Sequence, residues 1–449
     1  MQYVPSKFNK MVWDGDELLV VNTLYGKRIK FKQDHNIKDV MGKLAAERID
    51  DKEAADDEED KLFGYLKDNK YLVRVTENED YHAELLRGDY VLNGRLSITI
   101  MPTEQCNFRC KYCYESFQHG KMSRELQDAI IKFVAHNITK YSSVDLSWYG
   151  GEPLLAKDII EYISEKVLEI CRRTKRYLTT SITTNAYYLD LDTFKMLQKY
   201  NLVNVQITLD GIKETHDTQR VLANGKPTYD VILKNLLDIK EHTKSAVQKI
   251  IIRTNVSKDI YDVFDEYIDF YADTFGDDER FTFLIRPVGD WGGDAVGQMS
   301  DKLMNRDSFR AIYDKLIHHP KKLNMTFVDG YLQPGGSVCY AARRNFYLIR
   351  ANGDINKCTC VLDAEENQLG RITASGKLEI DEAKMARWVA HNKLPKCSGC
   401  NFYGSCFASN CPMRAKATNA PHLCGYEKQY LDDTIKLINA CGLFESYED

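Results

Sequence analysis

The sequence predicts an α/β fold, a partial (β/α)6 TIM-like barrel, and two observations carry this prediction. Six β-rich runs between residues 96 and 288 are each followed by a helix-like stretch. Strands that alternate with helices in this way form parallel βα units, and such strands are buried on both faces. Because a closed barrel of this type needs eight units, six predict an open, partial barrel.

The six units follow one another in a regular order along the chain. Polar or glycine residues fall where the early strands end: Cys106 follows the first, Gly150 and Gly151 the second, Asn185 the third and Asp210 the fourth. Barrel enzymes build their active sites at this edge of the sheet, so the pattern predicts an enzyme. The strands are predicted at residues 96–102, 144–153, 177–185, 202–211, 248–256 and 280–288, and the helices at 124–140, 158–173, 191–200, 229–243, 260–274 and 306–318.

Two regions outside this rhythm predict two further domains, so the expected domains are 1–95, 96–320 and 321–449. Residues 1–95 combine a β-hairpin at 17–31 with a helix that runs into a strand, and they carry no ionisable cluster that suggests chemistry. The last domain is irregular apart from a hairpin at 345–360 and a closing helix, and it holds most of the cysteines.

The composition is that of a globular protein with many cysteines. The 449 residues are 43% hydrophobic and 28% charged, and a net charge of −5 argues against a nucleic-acid partner. No signal peptide and no run of ~18 apolar residues is present, which favours a cytoplasmic protein without a membrane partner. Cytosolic thiols stay reduced, so the clustered cysteines among the 13 indicate metal or iron–sulfur ligands. Buried free thiols are the interpretation kept for Cys171 and Cys441.

The first cysteine cluster, C-x3-C-x2-C, lies directly after the first predicted barrel strand. Its three thiolates, Cys106, Cys110 and Cys113, can hold three irons of a four-iron cube and leave the fourth iron open for chemistry. An aromatic residue, Tyr112, precedes the last cysteine. The alternative is a structural zinc site that a distant fourth ligand completes.

This motif resembles the signature of radical S-adenosylmethionine (SAM) enzymes, and the resemblance extends over the six βα units. It implies a [4Fe-4S] cluster at the three cysteines, SAM bound to the open iron, and a 5′-deoxyadenosyl radical that abstracts hydrogen from a substrate. "GGEP" at 150–153 is similar to the site for the SAM amino group. Ordinary strand ends, helix caps or packing are the alternative roles for the more weakly matched residues. The implied SAM contacts are Tyr112 (adenine), Gly150, Gly151 and Glu152 (amino group), Thr183 and Asn185 (ribose) and Arg220 (carboxylate).

The later cysteines resemble a SPASM domain, a C-terminal module that holds two auxiliary iron–sulfur clusters. Four residues separate the fifth and sixth cysteines of the pattern where the family has three, and C-x2-C pairs also suit a zinc ribbon. Cys360 is a candidate fourth ligand of the first auxiliary cluster; otherwise that site stays open to a substrate thiolate. With the first motif, the resemblance implies three [4Fe-4S] clusters. The implied ligands are Cys339, Cys358 and Cys411 for auxiliary cluster I, and Cys397, Cys400, Cys406 and Cys424 for auxiliary cluster II.

The N-terminal domain resembles the leader-binding domain of peptide-maturing enzymes, a winged-helix-like fold of the PqqD type. The resemblance implies a precursor peptide whose leader adds to the domain as an edge strand, and an external one-electron reductant of the flavodoxin or ferredoxin type. A structural cap over the open barrel is the alternative. The sequence is therefore similar to radical SAM/SPASM peptide maturases of the sactipeptide and ranthipeptide type, with cysteine thioether cross-links as the expected product.

Other functions stay open on the same residues. Carbon–carbon or ether cross-linking would use the same scaffold, and an anaerobic sulfatase-type maturase would oxidise a cysteine or serine to formylglycine. A zinc or iron–sulfur protein without catalysis is the alternative from another class. The sequence does not identify a general base, because His119, His216, Asp210 and Glu115 are all available.

Overall fold

A computed structural model of the chain describes two compact units. The first, the terminal unit, joins Met1–Leu92, Met325–Ala342 and Val389–Asp449. The second, the barrel unit, joins Asn93–Asn324 and Arg343–Trp388. The described residues are 1–33, 37–50, 57–92, 94–245, 247–289, 294–297, 299–390, 393–409, 411 and 424–447.

The longest strands of the described residues lie in the barrel unit. In chain order, the strands are β1 Gln2–Pro5, β2 Asn9–Asp14, β3 Glu17–Asn22, β4 Lys27–Lys32, β5 Ile49–Asp50, β6 Leu72–Arg74, β7 Arg95–Ile100, β8 Ser143–Trp148, β9 Tyr177–Thr184, β10 Leu202–Thr208, β11 Lys249–Val256, β12 Phe281–Pro287, β13 Phe346–Ile349, β14 Asp354–Asn356, β15 Gly370–Ile372, β16 Leu378–Ile380 and β17 Glu445–Ser446. Strands β7 to β12 are rich in Ile, Val, Leu and Thr, which suits strands that pack on both faces.

Helices separate the long strands, as the βα pattern predicts. They are α1 Ile37–Ala45, α2 Asp57–Asp68, α3 Glu79–Leu92, α4 Arg124–Asn137, α5 Lys157–Thr174, α6 Leu191–Gln198, α7 Lys213–Gln219, α8 Tyr229–His242, α9 Lys258–Asp262, α10 Phe264–Phe275, α11 Asp294–Gly297, α12 Arg306–His318, α13 Thr326–Asp329, α14 Glu382–Val389, α15 Tyr403–Cys406, α16 Tyr426–Gln429 and α17 Leu431–Ala440. The helix predicted at 260–274 is divided into α9 and α10 at Val263, whose ψ of 14° departs from helical geometry.

One ten-stranded sheet organises the barrel unit, with strand order β12-β11-β10-β9-β8-β7-β13-β14-β15-β16. Strands β7 to β12 pair in parallel and in sequence order, which confirms the predicted α/β fold. Strand β13 joins β7 in parallel, and β14 to β16 continue as antiparallel strands. The hairpin predicted at 345–360 therefore extends the barrel sheet, and Cys358 and Cys360 follow directly after β14.

Aromatic packing between α10 and β12 stabilises the far side of this sheet. The rings of Tyr271 and Phe283 lie 4.8 Å apart, and those of Phe275 and Phe281 lie 4.6 Å apart. All four side chains are fully buried. Each such pair contributes about 1 kcal/mol beyond the burial of its area. These contacts therefore stabilise the packing of α10 on β12.

The terminal unit contains two small sheets, β5-β1-β6 and β17-β4-β3-β2. The hairpin predicted at 17–31 is present as the antiparallel pair β3 and β4. Strand β17, from the far end of the chain, adds to β4 in parallel. Within the described residues of both units, no helix is long and apolar enough to cross a membrane.

Candidate active site

A cavity of about 170 Å³ lies at the carboxyl ends of the parallel strands. The loop after β7 forms one wall with the three cysteines of the first motif, and the ends of the other five strands all contribute to the lining. The sequence predicts an active site at this edge. The lining residues beyond the cysteine loop are Tyr149, Gly150, Gly151, Thr183, Thr184, Asn185, Gln206, Thr208, Arg220, Arg253, Asn255, Pro287, Val288 and Gly289.

The thiols of Cys106, Cys110 and Cys113 all line this cavity. Burial raises the pKa of each thiol, to about 12 for Cys113, and the charges of neighbouring thiols add to this effect at Cys106 and Cys113. The positive charge of Arg220 acts in the opposite direction on the pKa of Cys110. Three thiolates at this position therefore need the positive charge of a bound metal centre.

This donor set fits an iron–sulfur cluster better than a single metal ion. Across the described residues, no three His, Cys, Asp or Glu side chains converge as the ligands of one ion would. The cysteines of a four-iron cluster bind separate irons, so their sulfurs do not have to converge on one centre. Three soft donors beside an open cavity leave room for a further ligand.

Gly150 and Gly151 bring the end of β8 against the backbone that precedes the first cysteine. A Cβ atom on Gly151 would lie 2.5 Å from the carbonyl oxygens of both Glu104 and Gln105. Gly150 has a φ of +126°, which residues with a side chain rarely adopt. The glycine pair therefore holds the cysteine loop in place as well as lining the cavity.

Glu152 is fully buried, and its polar groups bind other parts of the protein. Its amide donates to the carbonyl of Gln105 at 3.0 Å. Its carboxylate accepts from the amides of Leu154 at 2.9 Å and Asn185 at 2.7 Å, and from the hydroxyl of Thr184 at 2.7 Å. These contacts join the ends of β8 and β9. Because Glu152 is not among the described residues that line the cavity, its role at the SAM amino group stays a prediction.

The end of β9 brings Thr183 and Asn185 to the cavity. Asn185 Nδ2 donates to Asn107 Oδ1 at 2.8 Å and lies 3.9 Å from Cys106 Sγ. Its Oδ1 accepts from the amide of Tyr187 at 3.0 Å. Asn185 therefore connects this strand end to the cysteine loop.

A buried hydrogen-bonded group, the Tyr112 network, joins Tyr112, Asp210, Arg220 and Asn255. The Tyr112 hydroxyl donates to Asp210 Oδ2, and it accepts from Arg220 Nη1 at 2.7 Å and from Asn255 Nδ2 at 3.2 Å. The amide of Asn255 donates to Asp210 Oδ1 at 2.8 Å. Burial raises the pKa of Asp210, and the charge of Arg220 opposes this shift. The network fixes the aromatic residue of the cysteine motif against the ends of β10 and β11.

Arg220 also carries a donor that the protein does not use. Its Nε is buried without a hydrogen-bond partner, and the residue lines the cavity. An unpaired buried N–H is costly unless a ligand accepts its hydrogen bond. A carboxylate in the cavity would satisfy this donor with a charge-assisted hydrogen bond. This observation supports the predicted contact of Arg220 with the SAM carboxylate.

Sequence reasoning missed Tyr149, Arg253 and Asn255, which all line the cavity. Arg253 Nε donates to Asn255 Oδ1 at 2.9 Å, and both residues lie on β11. The sequence pattern that could have identified them is the one applied to the first four strands, namely polar residues at the end of a parallel strand. Extending that rule to the fifth strand identifies Asn255.

Glu115 is the one of the four acid–base candidates that lines the cavity. Its Oε2 is shielded from solvent and has no hydrogen-bond partner. Burial, with a smaller contribution from the charge of Glu104, raises the pKa of Glu115 to about 8. Asp210 belongs to the Tyr112 network, and His216 is fully buried beside it with Nδ1 accepting from the Asp210 amide at 3.2 Å.

The cysteines predicted for the auxiliary clusters are divided between the two units. Burial raises the pKa of Cys406 to about 12, and the charges of Cys397, Cys400 and Cys424 contribute, so these four thiols of the terminal unit lie near one another. Cys339 and Cys411 also belong to the terminal unit, whereas Cys358 and Cys360 belong to the barrel unit. The Cys360 amide donates to Cys358 Sγ at 3.4 Å.

Residues 100–266 match the model of the Radical SAM superfamily. The match contains the first three cysteines and every predicted SAM contact. The chain therefore carries a radical SAM domain, the kind of domain that binds SAM and an iron–sulfur cluster. This finding confirms the family resemblance of the cysteine motif.

Two curated relatives show how much of the chain is shared. The chain is 28% identical over 166 residues to the Fe-coproporphyrin III synthase of Methanosarcina barkeri. The aligned region is 36% of this chain and 38% of that protein. It is 24% identical over 360 residues to the cysteine-type anaerobic sulfatase-maturating enzyme of Clostridium novyi, which covers 73% of this chain and 90% of that enzyme.

Two solved structures have a similar fold. The anSMEcpe enzyme, solved with AdoMet and the Cp18Cys peptide, matches 78% of this chain and 99% of its own with a TM-score of 0.58 and 17% identity. SuiB of Streptococcus suis, solved with its precursor peptide SuiA, matches 93% of this chain and 98% of its own with a TM-score of 0.52 and 17% identity. At these identities the likeness shows the fold.

Proposed function

We propose that the chain is a cytoplasmic radical SAM enzyme that forms cysteine thioether cross-links in a ribosomally made precursor peptide. The proposal includes SAM and three [4Fe-4S] clusters as cofactors and a flavodoxin- or ferredoxin-type reductant. Its domains would be residues 1–95, 96–320 and 321–449, and the first of these would bind the leader peptide. Cys339, Cys358 and Cys411 would hold auxiliary cluster I.

The share of the chain that each of the two solved structures matches is the observation that supports a peptide substrate. The anSMEcpe fold is matched almost completely, yet it accounts for 78% of this chain. The SuiB fold accounts for 93%, and SuiB was solved with a precursor peptide. The extra part of this chain therefore has a counterpart in an enzyme of the precursor-peptide type.

The cavity residues have defined parts in the proposed reaction. A four-iron cluster held by Cys106, Cys110 and Cys113 would supply the electron that cleaves SAM to a 5′-deoxyadenosyl radical. Arg220 Nε would bind the SAM carboxylate, and the Tyr112 network would hold the cysteine loop still while the radical forms. Glu115, whose Oε2 has no hydrogen-bond partner, would exchange a proton with the peptide inside the cavity.

A thioether link removes two hydrogens from the peptide. One leaves as a hydrogen atom from the acceptor carbon to the 5′-deoxyadenosyl radical. The other would leave as the cysteine proton, and an auxiliary iron–sulfur cluster, if the later cysteines hold one, would take up the remaining electron. The new bond joins the cysteine sulfur to the acceptor carbon, so the peptide is oxidised by two electrons.

Sulfatase maturation is the second candidate, and the Clostridium novyi relative favours it, because the match spans 90% of that enzyme. Here a target cysteine would lose two hydrogens to form a thioaldehyde, and water would then supply the aldehyde oxygen of formylglycine with release of hydrogen sulfide. Carbon–carbon or ether cross-linking would use the same cavity. Thioether formation, formylglycine formation and a carbon–carbon or ether link leave three different chemical marks on the peptide.

Mass spectrometry of one peptide distinguishes these outcomes. Anaerobically reconstituted protein is mixed with dithionite, SAM and a cysteine-containing peptide encoded beside its gene, and 5′-deoxyadenosine is measured. A thioether product has lost two hydrogens and no longer reacts with iodoacetamide, whereas a carbon–carbon link also loses two hydrogens but keeps its thiol. Formylglycine reacts with hydrazide reagents. Absence of 5′-deoxyadenosine from cluster-loaded protein would contradict all of these functions.

A further inference from the structure

The edge of β4 in the terminal unit is covered by a strand from the other end of the chain. Strand β17 pairs with β4 in parallel, with Glu445 opposite Ile29 and Ser446 opposite Lys30. The amide of Tyr447 continues the pairing by donating to the carbonyl of Lys30 at 3.0 Å. An exposed strand edge is a ready site for a further strand, and β17 occupies this one.

Tyr447 anchors the covering strand to the core. Its ring lies 5.4 Å from that of Phe31 on β4 and 5.1 Å from that of Tyr65 on α2. It is partly buried against the core cluster that contains Phe31, Tyr71 and Leu72, and Tyr65 packs against the same cluster. The aromatic slot is therefore formed by residues of the N-terminal 92, and the tail supplies its occupant.

The pairing between β17 and β4 is short for the edge that it covers. Strand β4 has six residues, and two of them have partners in β17. An extended peptide in the same place could pair along the whole of β4 and gain more ladder hydrogen bonds than β17 makes. An extended peptide that is longer than β17 and has an aromatic side chain would therefore displace β17 with little loss of free energy.

Charge defines the kind of peptide that would fit. Strand β4 reads "KRIKFK", with four basic residues in six, and residues 445–449 read "ESYED", with three acidic residues in five. Arg28 and Lys30 form ion pairs with Asp329 and Glu17 at 2.9 Å, while Lys27 and Lys32 are exposed. The sequence from residue 445 is thus acidic and aromatic, and its strand β17 lies on a basic strand.

We propose that β17 is an exchangeable strand, and that an acidic extended peptide with an aromatic residue displaces it from β4 and fills the Tyr447 slot. In the setting of the proposed function, on which this inference rests, that peptide is the leader of the precursor. The enzyme would then carry its own competitor, which keeps the edge covered until a peptide arrives.

A binding experiment tests the exchange without any radical chemistry. The probe is a fluorescent synthetic peptide, LFESYED, with the sequence of residues 443–449. We expect it to bind a variant that ends at Phe444, and to bind the full chain at least about tenfold more weakly, because the tethered tail competes at high effective concentration. A peptide with alanine in place of its tyrosine should bind the shortened variant about threefold to tenfold more weakly.

Two results would overturn the proposal. One is no binding of LFESYED to the shortened variant while its circular dichroism and melting temperature match those of the full chain. If the shortened variant does not fold, hydrogen exchange of the full chain decides: the Tyr447 amide should exchange faster than the amides of β3, and equal protection would show that β17 is permanent. Because neither measurement uses SAM or iron, a failure here is separate from a failure of the proposed function.

Discussion

Single buried polar residues determine the shape of the cavity, and Arg220 is the one whose two tasks can be separated. Its Nη1 donates to the Tyr112 hydroxyl and its charge favours the Asp210 carboxylate, while its Nε is buried without a hydrogen-bond partner. Arg220→Met should lower the free energy of unfolding by about 3–5 kcal/mol, because it removes the larger of the two arginine charges, Arg220 and Arg253, that stabilise the buried Asp210 carboxylate. It should also abolish SAM binding, measured by anaerobic calorimetry on cluster-loaded protein.

A double variant separates the two effects. Asp210→Asn combined with Arg220→Met removes the uncompensated charge, so most of the lost stability should return in chemical denaturation. SAM binding should stay absent, because the donor to the carboxylate is still missing. Recovery of SAM affinity in the double variant would show that Arg220 acts on the fold alone.

Gly151 is a residue at which one methyl group should disturb the cysteine loop. Its Cβ position lies 2.5 Å from two backbone carbonyl oxygens, which have no flexible end that can move aside. Gly151→Ala should therefore destabilise the protein by about 1–3 kcal/mol and reduce the iron bound at the first motif. Gly120→Ala is the matched control, because that glycine follows the same loop and has nothing within 4 Å of its Cβ position. Equal iron content in both variants would contradict the steric argument.

His216 predicts a pH dependence of stability. Burial, together with the charge of Arg220, lowers its pKa well below the ordinary value of 6.5. As the pH falls below 6.5, the unfolded chain takes up a proton at this imidazole and the folded chain does not, so stability is lost. For this group the loss is about 1.4 kcal/mol for each pH unit. His216→Gln should remove that part of the slope of unfolding free energy against pH, and the exposed control His136→Gln should keep it.

At the scale of elements, a buried ion pair between Arg350 and Glu104 connects the end of β13 to the cysteine loop. Arg350, directly after β13, donates from Nε and Nη2 to the two carboxylate oxygens of Glu104, each at 2.9 Å, and from Nη1 to Asp363 at 2.9 Å. Both Arg350 and Glu104 are buried. Asp363 in turn accepts from Ser116 at 2.9 Å. The extension of the barrel sheet therefore holds the first motif from a second side.

Removing the buried ion pair of Arg350 and Glu104 should lower the free energy of unfolding far more than removing a surface ion pair. Arg350→Met leaves Glu104 buried and unpaired, and we expect a loss of about 3–5 kcal/mol in unfolding free energy. Arg344→Met is the control, because its pair with Glu382 at 3.0 Å is exposed and should contribute less than about 1 kcal/mol. Similar losses in the two variants would show that the buried pair has no special weight. Denaturant titration of the metal-free chain provides the measurement.

The elements that sequence predicts well are those specified by local patterns. The six βα units follow from alternating strand and helix runs, and the glycine pair and cysteine loop are contiguous motifs. The contact between Tyr112 and Asn255 spans 143 residues, and tertiary packing alone brings them together. Strand β17 has two residues, too few for a strand pattern, and its place on β4 depends on Tyr447 and the edge that it covers. The parallel pairing of β13 with β7 is likewise set by packing and not by propensity.

At the scale of the whole molecule, the cysteines proposed as cluster ligands belong to both units, so the iron content would report on both. Three four-iron clusters predict roughly twelve irons per chain after anaerobic reconstitution. Changing Cys106, Cys110 and Cys113 together to alanine should remove about four irons and all SAM cleavage. Zinc in place of iron, without SAM cleavage, would instead support a metal-stabilised binding protein.

If Cys339, Cys358 and Cys411 hold auxiliary cluster I as proposed, Cys360 would decide whether that cluster has a fourth protein ligand or an open position. It follows Cys358 by two residues, and its amide donates to the Cys358 sulfur at 3.4 Å, which is close for two ligands of separate irons. If auxiliary cluster I has an open position, Cys360→Ser should leave the iron content and the electron paramagnetic resonance spectrum of the reduced protein unchanged. Added cysteine-containing peptide should then still alter that spectrum, because a substrate thiolate has an iron to bind. Loss of iron or a changed spectrum in Cys360→Ser without peptide would make Cys360 the fourth ligand, and a thioether mechanism with substrate sulfur on iron would lose its site.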